Sequence, residues 1–140
     1  MRSTLYDTLI TFARQIRRVE QQLSAQVKLP LSQIRLVLQL SEKPINLETL
    51  SDQLALDTST LSRQLGNLAD KQLVQIIVPQ DKRQRRYCLT KSGQAIHEQL
   101  TQQLSQMITK IVANWDPSEI PLLTTLLQRF LRSSHKLNFD

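Results

Sequence analysis

Glycine is scarce here, with two residues in 140, and aromatic side chains make up only 4% of the chain. Each scarcity excludes something. A β-sandwich or barrel needs many tight turns, which two glycines cannot supply, so a mostly helical protein is expected. Cysteine occurs once, which rules out an intramolecular disulfide framework and suits a reducing compartment. No apolar run approaches the roughly 18 residues of a membrane span. The opening "MRSTLYDTLITFARQIRR" is interrupted by charge, unlike a secretion signal, so a cytoplasmic location with no membrane partner is expected. His97 and His135 stand far apart without clustered Cys or Glu, and no nucleophile–base pairing shows at usable spacing. Neither an enzyme, a metal centre nor a cofactor is expected.

What the chain does have is ordinary globular composition, 40% apolar and 21% charged, with a formal net charge of +6. A basic balance favours an anionic partner. The charge is also concentrated. Between Asp81 and Lys91 lie five cations (Lys82, Arg83, Arg85, Arg86, Lys91) and one acid, an excess of four.

Around that cluster the hydrophobic pattern is helical. Leu5, Leu9, Phe12, Ile16, Val19 and Leu23 recur at alternating spacings of four and three, the stripe of a first helix ending near Val27. Pro30 opens a second helix, "LSQIRLVLQL". Asn46 is a good N-cap for a third, "LETLSDQLAL", with Glu48 in its first turn where the helix dipole favours a carboxylate. "DTSTLSRQLGNLADK" follows, capped by Asp57 or Thr58 and buried along Leu61, Leu65 and Leu68. Its other faces carry small polar residues around one arginine, Arg63.

"LVQIIVP" and "RRYCLT" are β-type segments on either side of the cationic tip, and together they read as a hairpin. Thr90 or Ser92 starts a long fifth helix through Ile96, Leu100, Leu104, Ile108, Ile111 and Trp115, and Pro117 ends that region. A last amphipathic helix carries Leu123, Leu126, Leu127 and Phe130.

Three short helices and a basic hairpin describe a winged helix-turn-helix. A helix with small polar side chains and a guanidinium can enter the DNA major groove, while hairpin cations reach phosphates or the minor groove. Taken alone, the cations could instead be a solvated loop, and Arg63 could pair with Asp57 or Asp70. Gly66 could admit a close approach to DNA or simply be tolerated. Cys88, in a strand beside Tyr87, reads as a structural thiol.

The sequence resembles the MarR (multiple antibiotic resistance regulator) family of winged-helix transcription factors over almost its whole length. "LPLSQIRLVLQL" is similar to that family's second helix, with Gln33 at its glutamine. "DTSTLSRQLGNLADKQLV" resembles its recognition helix, and "DKRQRRYCLTKSGQ" its wing and the entry to the next helix. Four positions depart from the pattern: Pro30 replaces a common threonine, Ser51 and Ala55 stand where alanine and glycine are usual, and Gln72 replaces a glycine. A left-handed Gln72 would cost on the order of 1 kcal/mol.

The resemblance implies a mainly α protein with a small β-wing, forming one domain over 1–140. The winged helix-turn-helix would occupy 29–93, with dimerisation helices at 1–28 and 94–140. It implies a homodimeric, sequence-specific regulator of double-stranded DNA, most often a ligand-responsive repressor, on a pseudo-palindromic operator. The candidate DNA-binding residues are Gln33, Thr58, Ser59, Thr60, Ser62, Arg63, Asn67, Lys82, Arg83, Arg85 and Arg86. By the same resemblance Arg83 reaches the minor groove, Asp81 orients the wing arginines, and a small aromatic or amphipathic anion is the effector, in a cleft between winged domain and dimer helices. Two rival readings are a winged-helix module that meets an acidic protein and a nonspecific architectural DNA binder.

Overall fold

Apolar spacing and caps lay out the chain, whose structure, a computed structural model, describes residues 3–81 and 84–137. Two compact units are present, Met1–Gln103 and Leu104–Asp140.

In the first unit, helix α1 (Thr4–Val27) starts at Ser3, whose hydroxyl accepts the Tyr6 N–H at 3.0 Å, and stops at a left-handed Lys28. Leu23 alone on α1 is buried, while Leu5, Tyr6, Phe12 and Ile16 remain exposed. Helix α2 (Leu31–Gln39) is launched by Pro30, whose carbonyl accepts both the Gln33 and Ile34 N–H at 3.0 Å. Arg35 on α2 forks onto Glu20 of α1 at 2.9 and 3.1 Å.

Helix α3 (Leu47–Leu54) takes the expected cap, with Asn46 Oδ1 accepting the Thr49 N–H at 2.8 Å. It ends where Ala55 turns left-handed at φ 52°. Helix α4 (Thr58–Asp70) is capped by Asp57 rather than Thr58. Leu50 of α3 and Leu61, Leu65 and Leu68 of α4 are fully buried, the three on α4 being the stripe expected from sequence.

The hairpin forms from β2 (Val74–Ile77) and β3 (Arg86–Leu89), joined by a third strand not anticipated, β1 (Ile45–Asn46). The sheet order is β1–β3–β2, antiparallel throughout, with Ile45 opposite Tyr87, Asn46 opposite Arg86 and Val74 opposite Leu89. Tyr87, Cys88 and Leu89 on the central strand are buried.

The base of the hairpin is a tight junction. Gln72 does adopt the left-handed conformation, at φ 62°. Its carbonyl accepts the Thr90 hydroxyl at 2.7 Å, and the Leu73 carbonyl accepts the Thr90 N–H at 3.1 Å. Helix α5 (Lys91–Ile111) begins there, and Thr90 rather than Ser92 caps it, its Oγ1 accepting the Gly93 N–H at 3.0 Å.

In the second unit α5 ends at Ile111, short of the expected Trp115, because turns take over: the Trp115 N–H bonds to the Val112 carbonyl at 3.0 Å. "DPSE" then closes a reciprocal cap. Asp116 Oδ1 accepts the Ser118 N–H at 2.9 Å, and Glu119 Oε1 accepts the Asp116 N–H at 2.9 Å. Helix α6 (Glu119–Ser134) follows, and none of its residues is buried.

Candidate nucleic-acid interface

With Leu61, Leu65 and Leu68 turned inward, the helical period aims the opposite side of α4 outward. Ser59, Ser62, Arg63 and Asn67 are exposed away from the leucines, Thr58 is exposed at the helix start, and Thr60 is half-buried. Arg63 forms no ion pair with Asp57 or Asp70, leaving its guanidinium available, and its charge is only the weakest influence on Asp57. A β-carbon added at Gly66 would meet no atom within 4 Å, so internal packing does not require that glycine.

The cap ties the first polar residues together. Asp57 Oδ1 accepts the Thr60 N–H at 2.6 Å and the Ser59 hydroxyl at 2.8 Å. The Thr60 N–H first, and the Ser59 hydroxyl second, hold the Asp57 carboxyl below its usual value of 3.8. A depressed folded-state value means the cap contributes stability above the unfolded value, and that contribution is lost as pH falls through the folded one. Asp57→Asn keeps an accepting oxygen but removes the titration. Below about pH 4 the variant should therefore lose helix circular dichroism less steeply than the parent. Asp116, depressed by the Ser118 N–H, titrates in both proteins and cancels in the difference.

The wing supplies the second half of the surface. Arg85 and Arg86 are exposed, Arg86 in β3 opposite Asn46 and Ile77. Arg86 also lines a shallow polar recess with Asn46, Leu47, Glu48 and Gln84. Asp81 is exposed, and its carbonyl accepts the Gln84 N–H at 3.0 Å, turning the chain at the tip. Lys82 and Arg83, two of the expected contacts, lie outside the described residues.

Gln33, expected at the DNA surface, is only 4% exposed and is enclosed between α2 and α4. Its Oε1 accepts Lys71 Nζ at 2.6 Å, and its Nε2 donates to Gln64 Oε1 at 3.3 Å. Gln64 and Lys71 were not picked out from sequence. Their spacing of seven, two helical turns on the flank of the leucine stripe, was the available signal. No group of three or more His, Cys, Asp or Glu able to hold a metal occurs among the described residues, and no described helix is long and apolar enough to cross a membrane.

An exposed polar helix face after a short turn, followed by a cationic hairpin, defines a winged helix-turn-helix. No family model matches the sequence, and no curated protein does; solved structures carry the comparison. The reduced form of MarR from E. coli is similar with a TM-score of 0.75 at 25% identity, over 94% of this chain and 98% of that one. RV1404 from Mycobacterium tuberculosis is similar with a TM-score of 0.74 at 26% identity, over all of both chains. The transcriptional regulator SlyA reaches 0.79 at 15% identity, over 96% of each. The chain shares the winged helix-turn-helix fold of these proteins.

Proposed function

We propose that the chain is a sequence-specific regulator of transcription that binds double-stranded DNA as a homodimer on a pseudo-palindromic operator. The observation that carries this is the two-faced α4. One side is locked into the core by three fully buried leucines, while the other presents Ser59, Ser62, Arg63 and Asn67 outward beside a cationic hairpin. A helix seated on the core by one side can offer base-reading groups from the other, and wing cations add phosphate affinity. The exposed apolar stripes of α1 and α6 support the homodimer. Repression, a cytoplasmic location and an anionic aromatic or amphipathic effector complete the reading, the effector shifting the population of the DNA-competent form.

The test is selection of bound sites from a random duplex pool, followed by titration of the selected and random duplexes at several salt concentrations. Arg63→Ala should narrow the gap between the two duplexes, since a bidentate base contact is worth roughly 1–3 kcal/mol of discrimination. Arg83→Ala should weaken both duplexes and flatten the salt dependence by about one unit for each phosphate that a subunit no longer neutralises. Strong salt dependence without duplex preference would favour the nonspecific architectural binder. No DNA affinity at any salt would leave the protein-interaction module.

A further inference from the structure

A buried amide whose oxygen and nitrogen both find partners on a neighbouring helix is a constraint on that helix. Gln33 lies on the buried side of α2 with Ile34, Leu36 and Val37, where a polar side chain is stable only if it is hydrogen-bonded. Its two partners are long side chains of α4 and its C-cap, Gln64 and Lys71. They sit seven residues apart, roughly 10 Å along the helix axis, and converge on one amide. Lys71 brings a charge-assisted hydrogen bond of 2.6 Å, the stronger kind. The leucine stripe resists separation of α4 from the core, but apolar contacts are non-directional and resist rotation about the helix axis weakly. A braced amide does resist rotation.

We propose that the Lys71–Gln33–Gln64 relay sets the rotational register of α4, and thereby the discrimination between operator and other DNA, without touching a base. The role rests on the DNA-binding function proposed above. A rotation of about 10° sweeps a group at the side-chain radius of the helix by roughly 1 Å. Productive geometry tolerates only about 0.5 Å, so Arg63 and Ser62 would drop out of base contacts that depend on alignment while phosphate attraction persisted. Gln33 is thus a positioning residue, and its influence falls on the ratio of affinities.

The experiment compares the parent, Gln33→Met, Lys71→Met and Gln33→Glu on a selected duplex and a random duplex at one salt concentration. Amide hydrogen exchange of α4 is measured alongside. Gln33→Met keeps the volume and removes both bonds. It should cut the selected-to-random ratio roughly tenfold and accelerate exchange in α4 while leaving β2 and β3 unchanged. Gln33→Glu should stay within about twofold of the parent, because a carboxylate accepts from Lys71 and from the Gln64 amide after that amide flips. Should Gln33→Met fail to fold, Lys71→Met, altered only at an exposed residue, reads the same ratio.

An undiminished ratio in folded Gln33→Met and Lys71→Met, with the parent selective, overturns the relay alone. So does a parallel fall on both duplexes with unchanged exchange, which would mark the removal of a phosphate-binding group. A parent that shows no duplex preference overturns the operator-reading function itself, and the discriminating role with it.

Discussion

Gly93→Ala is expected to destabilise the protein by about 3 kcal/mol or more, in the upper range for overpacking a core. A β-carbon at Gly93 would stand 2.0 Å from the Leu73 carbonyl oxygen, 3.0 Å from its carbon and 3.1 Å from Leu89 Cδ2. The obstacle is backbone, and it is held from several sides. The Leu73 carbonyl accepts the Thr90 N–H at 3.1 Å, and the Leu73 N–H donates to the Leu68 carbonyl at 3.0 Å. The neighbouring Gln72 carbonyl is fixed by the Thr90 hydroxyl. Relief therefore requires moving the end of α4 or the start of α5. Gly66→Ala is the internal control: open space surrounds that position, so the gain in helix propensity of about 1 kcal/mol should appear as a stabilisation. Urea unfolding of both variants checks the pair, and a Gly93→Ala midpoint equal to the parent's would refute the junction as a rigid contact.

Leu126→Asp on α6 is expected to convert a dimer into monomers at micromolar concentration. Leu123, Leu126 and Phe130 fall on one face of that helix and are 40%, 52% and 44% exposed in a single chain. No residue of α6 is buried, an arrangement that leaves apolar surface in water unless another chain covers it. In a twofold interface each substitution appears twice, and an unpaired carboxylate in an apolar contact costs several kcal/mol. Sedimentation should show the parent at about twice its 16.2 kDa chain mass and the variant near the chain mass. A monomeric parent removes the homodimer from the proposed function, and a variant that still dimerises removes this face of α6 from the interface.

Helix positions were legible in the sequence because caps and apolar spacing are local signals. Asn46 caps α3 as its residue type predicts, and Leu61, Leu65 and Leu68 are buried at the period that named them. Choices between adjacent candidates, Asp57 over Thr58 and Thr90 over Ser92, needed the actual backbone path. Strand β1 escaped notice because two residues show no periodicity, and only pairing with β3 makes them a strand. Continued apolar spacing carried the expected α5 to Trp115, whereas the cap formed by Asp116 and Glu119 marks a new start just beyond. In the candidate interface, Arg63 and the described wing arginines are exposed as their polarity suggests. The enclosure of Gln33 was not legible because its partners lie 31 and 38 residues along the chain, a separation at which sequence spacing carries no information about contact.

Cys88 sits in the central strand, only 5% exposed, and is the chain's single cysteine. A buried thiol meets a reagent only when the surrounding structure opens, so this residue is a built-in clock. With reclosing fast compared with labelling, the rate of thiol modification divided by that of a free cysteine gives the equilibrium constant for opening the wing's inner strand. The same measurement repeated with DNA bound would report, in time rather than in affinity, how firmly a duplex holds the hairpin shut.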